Sequence, residues 1–263
     1  MARFDDQTVL VTGGFSGIGL ATARLFLEAG AHVMVGGRGP ERAEAVRHRL
    51  ASHGGRLKLV SLDVTNADDI DKAFDELDRW RGGRVDAVVA NAGVNAPGLV
   101  ADVEIEDFDR CIDTNLRGVF LAARAAVPRM KRAGGGSLVF MASNGGLIAR
   151  ASDPVYCASK AAVIMLARAM ALGHAGDDIR VNAICPGPVS GTEMVERSLR
   201  NSTDPSRAFA EQLAAAPLAA VRGRMITPEE VGELVLYLCS ELGSMITGAA
   251  IPIDAGKSAG IRR

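Results

Sequence analysis

Tyr156 and Lys160 are the two residues whose types and spacing most directly suggest chemistry in this sequence. They belong to the segment YCASK, which opens an apolar stretch reading AAVIMLARAMAL. On a helix, residues four positions apart lie on one face about 5 to 6 Å apart, so the phenol and the ammonium can share a site. The alternative is a partly buried tyrosine beside a lysine that extends to solvent. The elements that position the pair must decide between these interpretations.

Short β-branched runs alternate with helical patterns along the chain. The runs cover residues 8–13, 32–37, 57–64, 85–93, 137–143, 179–187 and 249–256. Seven strands separated by helices predict a parallel sheet, and their apolar character predicts cover on both faces. Helices are expected from Ile18, over 66–80 with Asn66 as the cap, and over 103–131. The prediction is an α/β chain with a doubly wound, parallel seven-stranded sheet (a Rossmann fold) and one domain over 1–263.

Residues 186–227 form the longest stretch without a clear period. A loop of this length in a compact domain is usually functional, and its apolar residues Met194, Leu199, Phe209 and Leu213 suggest a mobile substrate lid. The alternative is a surface excursion that holds one or two short helices. Both interpretations stay open at this point.

Composition excludes several other classes of function. The chain has 30 basic and 31 acidic residues, so nothing favours nucleic acid or an anionic membrane as a partner. The four cysteines are widely separated and are expected to be reduced and buried, and the four histidines lack metal-ligand spacing, so no metal is predicted. The N-terminus leads directly into a strand pattern, and no apolar run approaches the length of a membrane span. We expect a soluble, cytoplasmic protein.

The first predicted strand ends in TGGFSGIG, directly before the first helix. Glycines at this junction permit a tight turn and let the backbone and the helix N-terminus approach a pyrophosphate. The segment therefore predicts a dinucleotide site, whose residues are Gly13, Phe15, Ser16, Gly17, Ile18 and Gly19.

The end of the second predicted strand bears on the choice of dinucleotide. In NAD-binding proteins, a carboxylate at this position accepts hydrogen bonds from the adenosine ribose hydroxyls. This sequence has Gly36, Gly37 and Arg38 there and no carboxylate. Arg38 is expected to bind a 2′-phosphate, which favours NADP with NAD as the alternative; a solvated charge is its other interpretation. Asp63 and Val64 would flank the adenine, although Asp63 could equally cap the turn before Thr65.

Taken together, these motifs resemble those of the short-chain dehydrogenase/reductase family over essentially the whole chain. The resemblance rests on the glycine motif, the Asp63–Val64 pair, Asn91, Ala92 and Gly93, Asn115, Ser143, the YxxxK of Tyr156 and Lys160, and Pro186 with Gly187. It implies a catalytic tetrad of Asn115, Ser143, Tyr156 and Lys160, which acts on a carbonyl or secondary alcohol beside the nicotinamide. It also implies cofactor contacts from Asn91 to Gly93, from Tyr156 and Lys160, and from Pro186, Gly187 and Val189.

In that scheme Tyr156 is the general acid and base that exchanges a proton with the substrate oxygen. A phenol has a pKa of about 10, and lowering it by about 3 requires roughly 4 kcal/mol. An ammonium about 5 Å away offers roughly 3 kcal/mol at an effective dielectric near 20, and the positively charged oxidised nicotinamide adds to it, so we expect Lys160 to help acidify Tyr156. Ser143 would orient the substrate oxygen or simply cap a turn, and Asn115 would hold a water beside Lys160 or satisfy a buried backbone group.

One departure from the family pattern concerns the segment after Gly187. The threonine of the family pattern lies one residue later than usual in this sequence, at Thr192. Either a local bulge restores its contact with the cofactor or another residue makes that contact.

The resemblance leaves the substrate open. A 3-oxoacyl thioester, a hydroxysteroid-like alcohol, a sugar or polyol and a cyclic dihydrodiol all remain candidates. Arg129, Lys131 and Arg132 could dock an acyl carrier protein, although the helix dipole alone favours basic residues there. A noncatalytic NAD(P)-binding sensor on the same fold is a further alternative. As in the family, helices at 103–131 and 154–173 are expected to build a homotetramer.

Overall fold

The computed structural model describes residues 4–260, and residues 1–3 and 261–263 of the predicted domain lie outside this range. Seven parallel strands form one sheet in the order β3-β2-β1-β4-β5-β6-β7. The strands are β1 Thr8–Thr12, β2 His32–Gly37, β3 Leu57–Ser61, β4 Ala87–Ala90, β5 Gly136–Met141, β6 Ile179–Pro186 and β7 Ala250–Ile253. The predicted doubly wound sheet is confirmed.

Most strands end earlier than the sequence predicts. The third was expected to reach residue 64 and the fourth residue 93, but they end at Ser61 and Ala90. The residues beyond these ends turn away from the ladder because their polar groups bind elsewhere. Asn91, for example, donates its side-chain amide to the carbonyl oxygens of Thr12 and Gly13 at 3.1 Å.

Helices cover both faces of the sheet. They are α1 Gly17–Glu28, α2 Pro40–Arg49, α3 Ala67–Arg81, α4 Ile105–Ile112, α5 Gly118–Ala133, α6 Pro154–His174, α7 Glu193–Arg200, α8 Pro205–Ala214, α9 Pro217–Arg222 and α10 Pro228–Cys239. One apolar core lies between the sheet and α3, α5 and α6, and a second lies between the sheet, α1 and α10. The predicted cap of α3 is present, since the Asn66 side chain accepts a hydrogen bond from the Asp68 amide.

The helix predicted over 103–131 is interrupted. A π-helical turn, Asp113–Arg117, separates α4 from α5 and carries the buried Asn115. Such single-turn π-helices often occur at functional sites because they shift the side chains that follow.

Residues 186–227 are more regular than expected. They contain the three short helices α7, α8 and α9, whereas one or two were anticipated. The local signals are visible in hindsight, since Asp204 accepts a hydrogen bond from the Arg207 amide at 3.0 Å and Pro205 and Pro217 occupy first-turn positions.

The helix α6 requires a correction of the hydropathy analysis. The segment Pro154–Asp177 is long and apolar enough to cross a membrane by length and composition, contrary to the expectation that no run approaches that length. Core helices of soluble proteins meet the same criteria. Here α6 packs against β5 and β6 and buries both Tyr156 and Lys160.

Candidate active site

The predicted site residues converge on one cavity at the carboxyl ends of β1, β4, β5 and β6. The cavity has a volume of about 790 Å³ and extends from the glycine segment after β1 to Tyr156 and Lys160 on α6. A volume of this size suits a small-molecule ligand. Of the predicted residues, only Gly19 and Asn115 do not line it; both lie directly behind its wall.

The glycine segment forms a tight wall of the cavity. Gly13 has a φ of 62°, and a Cβ atom on Gly13 would lie 2.7 Å from the Cα of Ala92. A Cβ on Gly19 would lie 2.5 Å from the Gly13 carbonyl oxygen. No side chain caps the N-terminus of α1 at Ser16, so its first backbone amides are available to a phosphate. The segment therefore fits the pyrophosphate of a dinucleotide.

Arg38 and Asp63 face each other at the far end of the cavity. The Arg38 guanidinium is 67% exposed, and its Nη1 lies 3.3 Å from an Asp63 carboxylate oxygen. Asp63 also accepts hydrogen bonds from the amide and the hydroxyl of Thr65, which confirms that it caps this turn. Burial raises the pKa of Asp63, but the Thr65 hydrogen bonds and the Arg38 charge lower it overall. The carboxylate thus stays ionised beside Arg38.

Lys160 is buried beneath Tyr156 on the same face of α6. Its Nζ donates a hydrogen bond of 2.8 Å to the Met141 carbonyl oxygen at the end of β5, and it lies 5.7 Å from the Tyr156 ring centroid. Burial lowers the pKa of Lys160 to about 8. The two side chains share one site, and this excludes the interpretation in which the lysine extends to solvent.

Burial dominates the pKa of Tyr156 in the protein without cofactor. Burial raises it above the ordinary value, while the Ser143 side chain and the positive charge of Arg150 oppose this rise. The protein without cofactor therefore holds Tyr156 as a neutral phenol. The cost of burying a phenolate exceeds the attraction of the nearby cations. The expected acidification concerns the complex with oxidised nicotinamide, whose positive charge adds to that of Lys160.

Ser143 occupies the turn that follows β5, opposite Tyr156. Its hydroxyl accepts a hydrogen bond from the Gly145 amide at 3.1 Å, so it caps the turn as one interpretation held. It also lines the cavity, where it faces Tyr156.

Asn115 binds the backbone that follows β4. Its side chain accepts a hydrogen bond from the Val94 amide and donates one to the Val94 carbonyl oxygen, both at 2.8 Å, and it donates another to the Ser159 hydroxyl at 3.0 Å. Asn115 therefore satisfies backbone groups of Val94, as its structural interpretation expects. A Cβ on Gly93 would lie 3.3 Å from Lys160 Nζ and 3.4 Å from Asn115 Oδ1, so both polar groups lie next to Gly93.

The segment after β6 forms another wall of the cavity. Pro186, Gly187 and Val189 line it as predicted. Thr192 also lines it, but its hydroxyl donates a hydrogen bond of 2.7 Å to the Val189 carbonyl oxygen. Thr192 thus fixes this turn instead of presenting a free hydroxyl.

Several lining residues were missed at the sequence level. Arg42, Arg150, Asp153, Gln212 and Lys257 all face the cavity. Arg150 and Asp153 lie within six residues of Tyr156, which was a usable signal; Gln212 and Lys257 come from α8 and from the turn after β7, which only the fold brings to the site.

Comparison with known proteins identifies close relatives over the whole chain. Residues 13–258 match a family model described as Enoyl-(Acyl carrier protein) reductase. The chain is 36% identical to 2-(S)-hydroxypropyl-CoM dehydrogenase 3 of Xanthobacter autotrophicus, with 98% of each chain covered. It is 35% identical to 3-oxoacyl-[acyl-carrier-protein] reductase of Thermotoga maritima, with 97% of this chain and 98% of the relative covered. It is also 35% identical to meso-2,3-butanediol dehydrogenase of Serratia marcescens, with 98% and 96% covered.

Solved structures agree with these relatives. A short-chain type dehydrogenase/reductase from Mycobacterium marinum superposes with a TM-score of 0.89 at 36% identity, and 98% of each chain is covered. A putative gluconate dehydrogenase from Agrobacterium tumefaciens gives the same TM-score at 31% identity and the same coverage. The family implies a nicotinamide cofactor, which the glycine segment fits. The chain is therefore a member of the short-chain dehydrogenase/reductase family and an oxidoreductase that transfers hydride between a nicotinamide cofactor and an alcohol or ketone.

Proposed function

We propose that the protein interconverts a secondary alcohol and a ketone with NADP, and that Tyr156 exchanges the proton with the substrate oxygen. The observation that carries this proposal is the convergence of Tyr156, Ser143 and Lys160 on one cavity whose other end is the glycine segment. A bound nicotinamide supplies or accepts the hydride. The residues of this chain bind and orient the reactants and move the proton.

In the direction of reduction, the neutral Tyr156 is a proton donor. Burial keeps the phenol protonated, so it can donate to the oxygen that becomes the alcohol. Ser143 hydrogen-bonds the same oxygen and holds it beside Tyr156. In the direction of oxidation, the positive charges of the buried Lys160 and the partly exposed Arg150 stabilise the phenolate that must form.

Lys160 and Asn115 provide the route for proton exchange with solvent. A Cβ on Gly93 would lie 3.3 Å from Lys160 Nζ and 3.4 Å from Asn115 Oδ1, so both polar groups are neighbours of this glycine, and a water that contacts both is the proposed link. The Met141 carbonyl oxygen fixes the lysine in this position. Lys160 thereby returns a proton to Tyr156 after each reduction.

Replacing Tyr156 by phenylalanine tests this assignment. The variant should bind NADPH with wild-type affinity and lose about 10²- to 10⁴-fold in turnover, because only the hydroxyl is removed. Turnover within a few-fold of the wild type on the same ketone would refute the role of Tyr156.

The preference for NADP rests on the charges around the end of β2. Arg38 is mostly exposed and is held by a single carboxylate contact, and Arg42 lines the same end of the cavity. A 2′-phosphate would meet two guanidinium groups there. Arg38→Asp should weaken NADPH binding and favour NADH; equal affinities of the wild type for the two cofactors would contradict the assignment.

Reduction of a 3-oxoacyl thioester is a second candidate, supported by the similarity to the reductase of Thermotoga maritima. The predicted basic docking site is largely engaged within the chain. Arg129 pairs with Asp78 at 2.7 Å and Lys131 pairs with Asp177 at 2.8 Å. Turnover of a free ketone that is not increased by attachment to acyl carrier protein would exclude this candidate.

Residues 186–227 act as the substrate lid in this proposal. Glu193 on α7 pairs with Arg42 at 3.0 Å and thereby connects the segment to the opposite wall of the cavity. Both side chains are about half exposed, so the contact can break and re-form.

We also propose that the protein is a cytoplasmic homotetramer. Apolar side chains on the outer faces of α4, α5 and α6 are exposed, notably Phe108, Phe120, Met165 and Leu172. Their burial between subunits would remove apolar surface from water. A monomeric mass in light scattering would contradict this assembly.

A further inference from the structure

Several unpaired polar atoms belong to residues that line the cavity of Tyr156. Among residues 4–260, five buried side-chain nitrogen or oxygen atoms lack a hydrogen-bond partner, and three of them belong to cavity-lining residues: Asn144 Nδ2, Arg150 Nε and Gln212 Oε1. Buried polar groups are normally hydrogen-bonded because an unpaired one costs free energy. Three such atoms around one cavity indicate that a polar ligand group binds among them.

Among these three residues, Arg150 has the most hydrogen-bond donors without a partner. Its guanidinium carbon lies 5.2 Å from the Tyr156 ring centroid, and none of its side-chain N–H groups donates a hydrogen bond within the described part of the chain. Its ion-pair partner is Asp153, whose carboxylate oxygen lies 3.6 Å from Nε. A Cβ on Gly145 would lie 3.0 Å from Nη2, so the absence of a side chain there gives the guanidinium its place. The planar fork that binds an anion in two hydrogen bonds is thus held beside the reacting phenol.

Lys257, in the turn after β7, brings a second cation to the same cavity. Burial lowers its pKa, the positive charge of Arg150 lowers it further, and the Asp254 carboxylate opposes both effects. The adjacent carboxylate, Asp254, is engaged by the backbone amides of Gly256 and Ser258 at 3.0 and 2.8 Å. Among the described residues Lys257 has no ion-pair partner. Two like charges placed together are unfavourable until an anion lies between them.

Asp153 is the carboxylate that opposes this pair. Its side chain is mostly buried, and burial raises its pKa while Arg150 lowers it. Its distance from Nε leaves the two terminal nitrogens of Arg150 free, so the guanidinium keeps hydrogen-bond donors for a ligand. The cavity as a whole is lined by seven basic and three acidic side chains, so an added negative charge is favoured.

We propose that Arg150 and Lys257 bind an anionic group of the substrate, a carboxylate or its sulfonate or phosphate equivalent, while Tyr156 acts on the alcohol or ketone of the same molecule. This proposal rests on the proposed oxidoreductase function and narrows its substrate class to hydroxy acids and oxo acids. The 5.2 Å between the guanidinium and the Tyr156 ring sets a short spacer. At about 1.2 Å of reach per bond, about three to five bonds separate the reacting oxygen from the carbon of the anionic group.

The test compares acids with their neutral amides. The pairs are 3-hydroxybutanoate, 4-hydroxypentanoate and 5-hydroxyhexanoate, each with the corresponding amide, and the ratio of kcat/KM for acid over amide is measured at fixed cofactor. The wild type should favour the acid of at least one pair by about tenfold or more, and Arg150→Gln should reduce this ratio about 10- to 100-fold, since hydrogen bonds to charged groups have effects of this size. Any influence of Arg150 on the pKa of Tyr156 acts on acid and amide alike and cancels in the ratio.

Further variants separate charge from geometry. Lys257→Gln should also lower the ratio, and Arg150→Lys should restore part of it, because lysine keeps the charge but lacks the fork. Lys72→Gln is the matched control, since Lys72 is 77% exposed on α3 and does not line the cavity. A sulfonate and a phosphate ester of the best spacer length identify which anion is preferred. An acid-to-amide ratio near one in the wild type, or one that Arg150→Gln leaves unchanged, would overturn the proposal.

A binding measurement tests the anion site separately from the proposed oxidoreductase function. With Tyr156→Phe bound to NADPH, pentanoate and pentanamide are titrated while the nicotinamide fluorescence is followed. Pentanoate should bind more tightly, and Arg150→Gln should remove the difference even if no alcohol is turned over. Equal binding of the two compounds refutes the anion site alone, whereas full turnover by Tyr156→Phe refutes the catalytic assignment alone.

Discussion

Replacing Lys160 by methionine should make the folded protein more stable at neutral pH while abolishing turnover. The Lys160 side chain is buried, and burial lowers its pKa from the ordinary 10.5 to about 8. At pH 7 the folded protein therefore carries a cation in a place that disfavours it. Methionine has a similar length and no charge, so it removes this cost together with the proposed catalytic group.

The expected size follows from the pKa difference and one hydrogen bond. A difference of about 2.5 in pKa corresponds to about 3 kcal/mol. The variant loses the hydrogen bond to the Met141 carbonyl oxygen, which costs about 1 to 2 kcal/mol. The free energy of unfolding at pH 7 should therefore rise by about 1 to 2 kcal/mol.

The pH dependence has a definite sign. Between pH 8 and 10.5 the unfolded chain keeps the Lys160 proton while the folded protein releases it, so the stability of the wild type rises with pH in this window. The cost of the charge is fully present below pH 8 and disappears above 10.5. The advantage of the variant should thus shrink by about 1 kcal/mol between pH 7 and pH 9.

Urea unfolding of the cofactor-free proteins at pH 7 and pH 9 measures both quantities. Lys72→Met, an exposed lysine on α3, serves as the control and should change stability by less than about 0.5 kcal/mol at either pH. A Lys160→Met protein less stable than the wild type at pH 7, or an advantage that does not depend on pH, would show that the buried ammonium is not disfavoured and would refute the reasoning.

Three further predictions concern buried residues. Gly19→Ala should weaken NADPH binding and cost about 1 to 3 kcal/mol of stability, because the new Cβ would meet the Gly13 carbonyl oxygen. Gly173→Ala is the control: no atom of the described residues outside α6 lies near its new Cβ, so it should gain up to about 1 kcal/mol of stability. Thermal melts and nucleotide titrations compare the two variants. Asn115→Ala should cost about 1 to 3 kcal/mol in urea unfolding, because the buried polar groups of Val94 lose their partners, and a neutral result would remove its structural role. The four cysteines are buried, and burial raises the pKa of Cys185 and Cys239 to about 11. Iodoacetamide should therefore label the four cysteines only after denaturation, as followed by mass spectrometry. Rapid labelling of the folded protein would contradict their burial.

Much of the architecture follows from local patterns. The alternation of β-branched runs with helices predicts the parallel sheet, and the glycine motif after the first run predicts the dinucleotide site, because only glycine permits such close backbone approach. The four-residue spacing of Tyr156 and Lys160 places them on one helix face regardless of the rest of the fold. Local geometry determines these features, so the order of residues is sufficient to predict them.

Other local signals were present but were not interpreted correctly. The caps and prolines of α7, α8 and α9 are visible in the sequence, although their apolar residues show no clear helical period. The π-helical turn at Asn115 could not be foreseen from periodicity, because the same residues fit a continuous helix.

The sequence by itself determined the sheet, the glycine segment and the Tyr156–Lys160 pair, because each depends on residues that are neighbours along the chain. Tertiary structure alone decided the protonation of Tyr156, the burial of Lys160 and the meeting of Arg150, Gln212 and Lys257 around one cavity. Desolvation and the attraction between charges depend on every group packed nearby, and the groups around this cavity come from distant segments of the chain, since Arg150 and Lys257 are 107 residues apart.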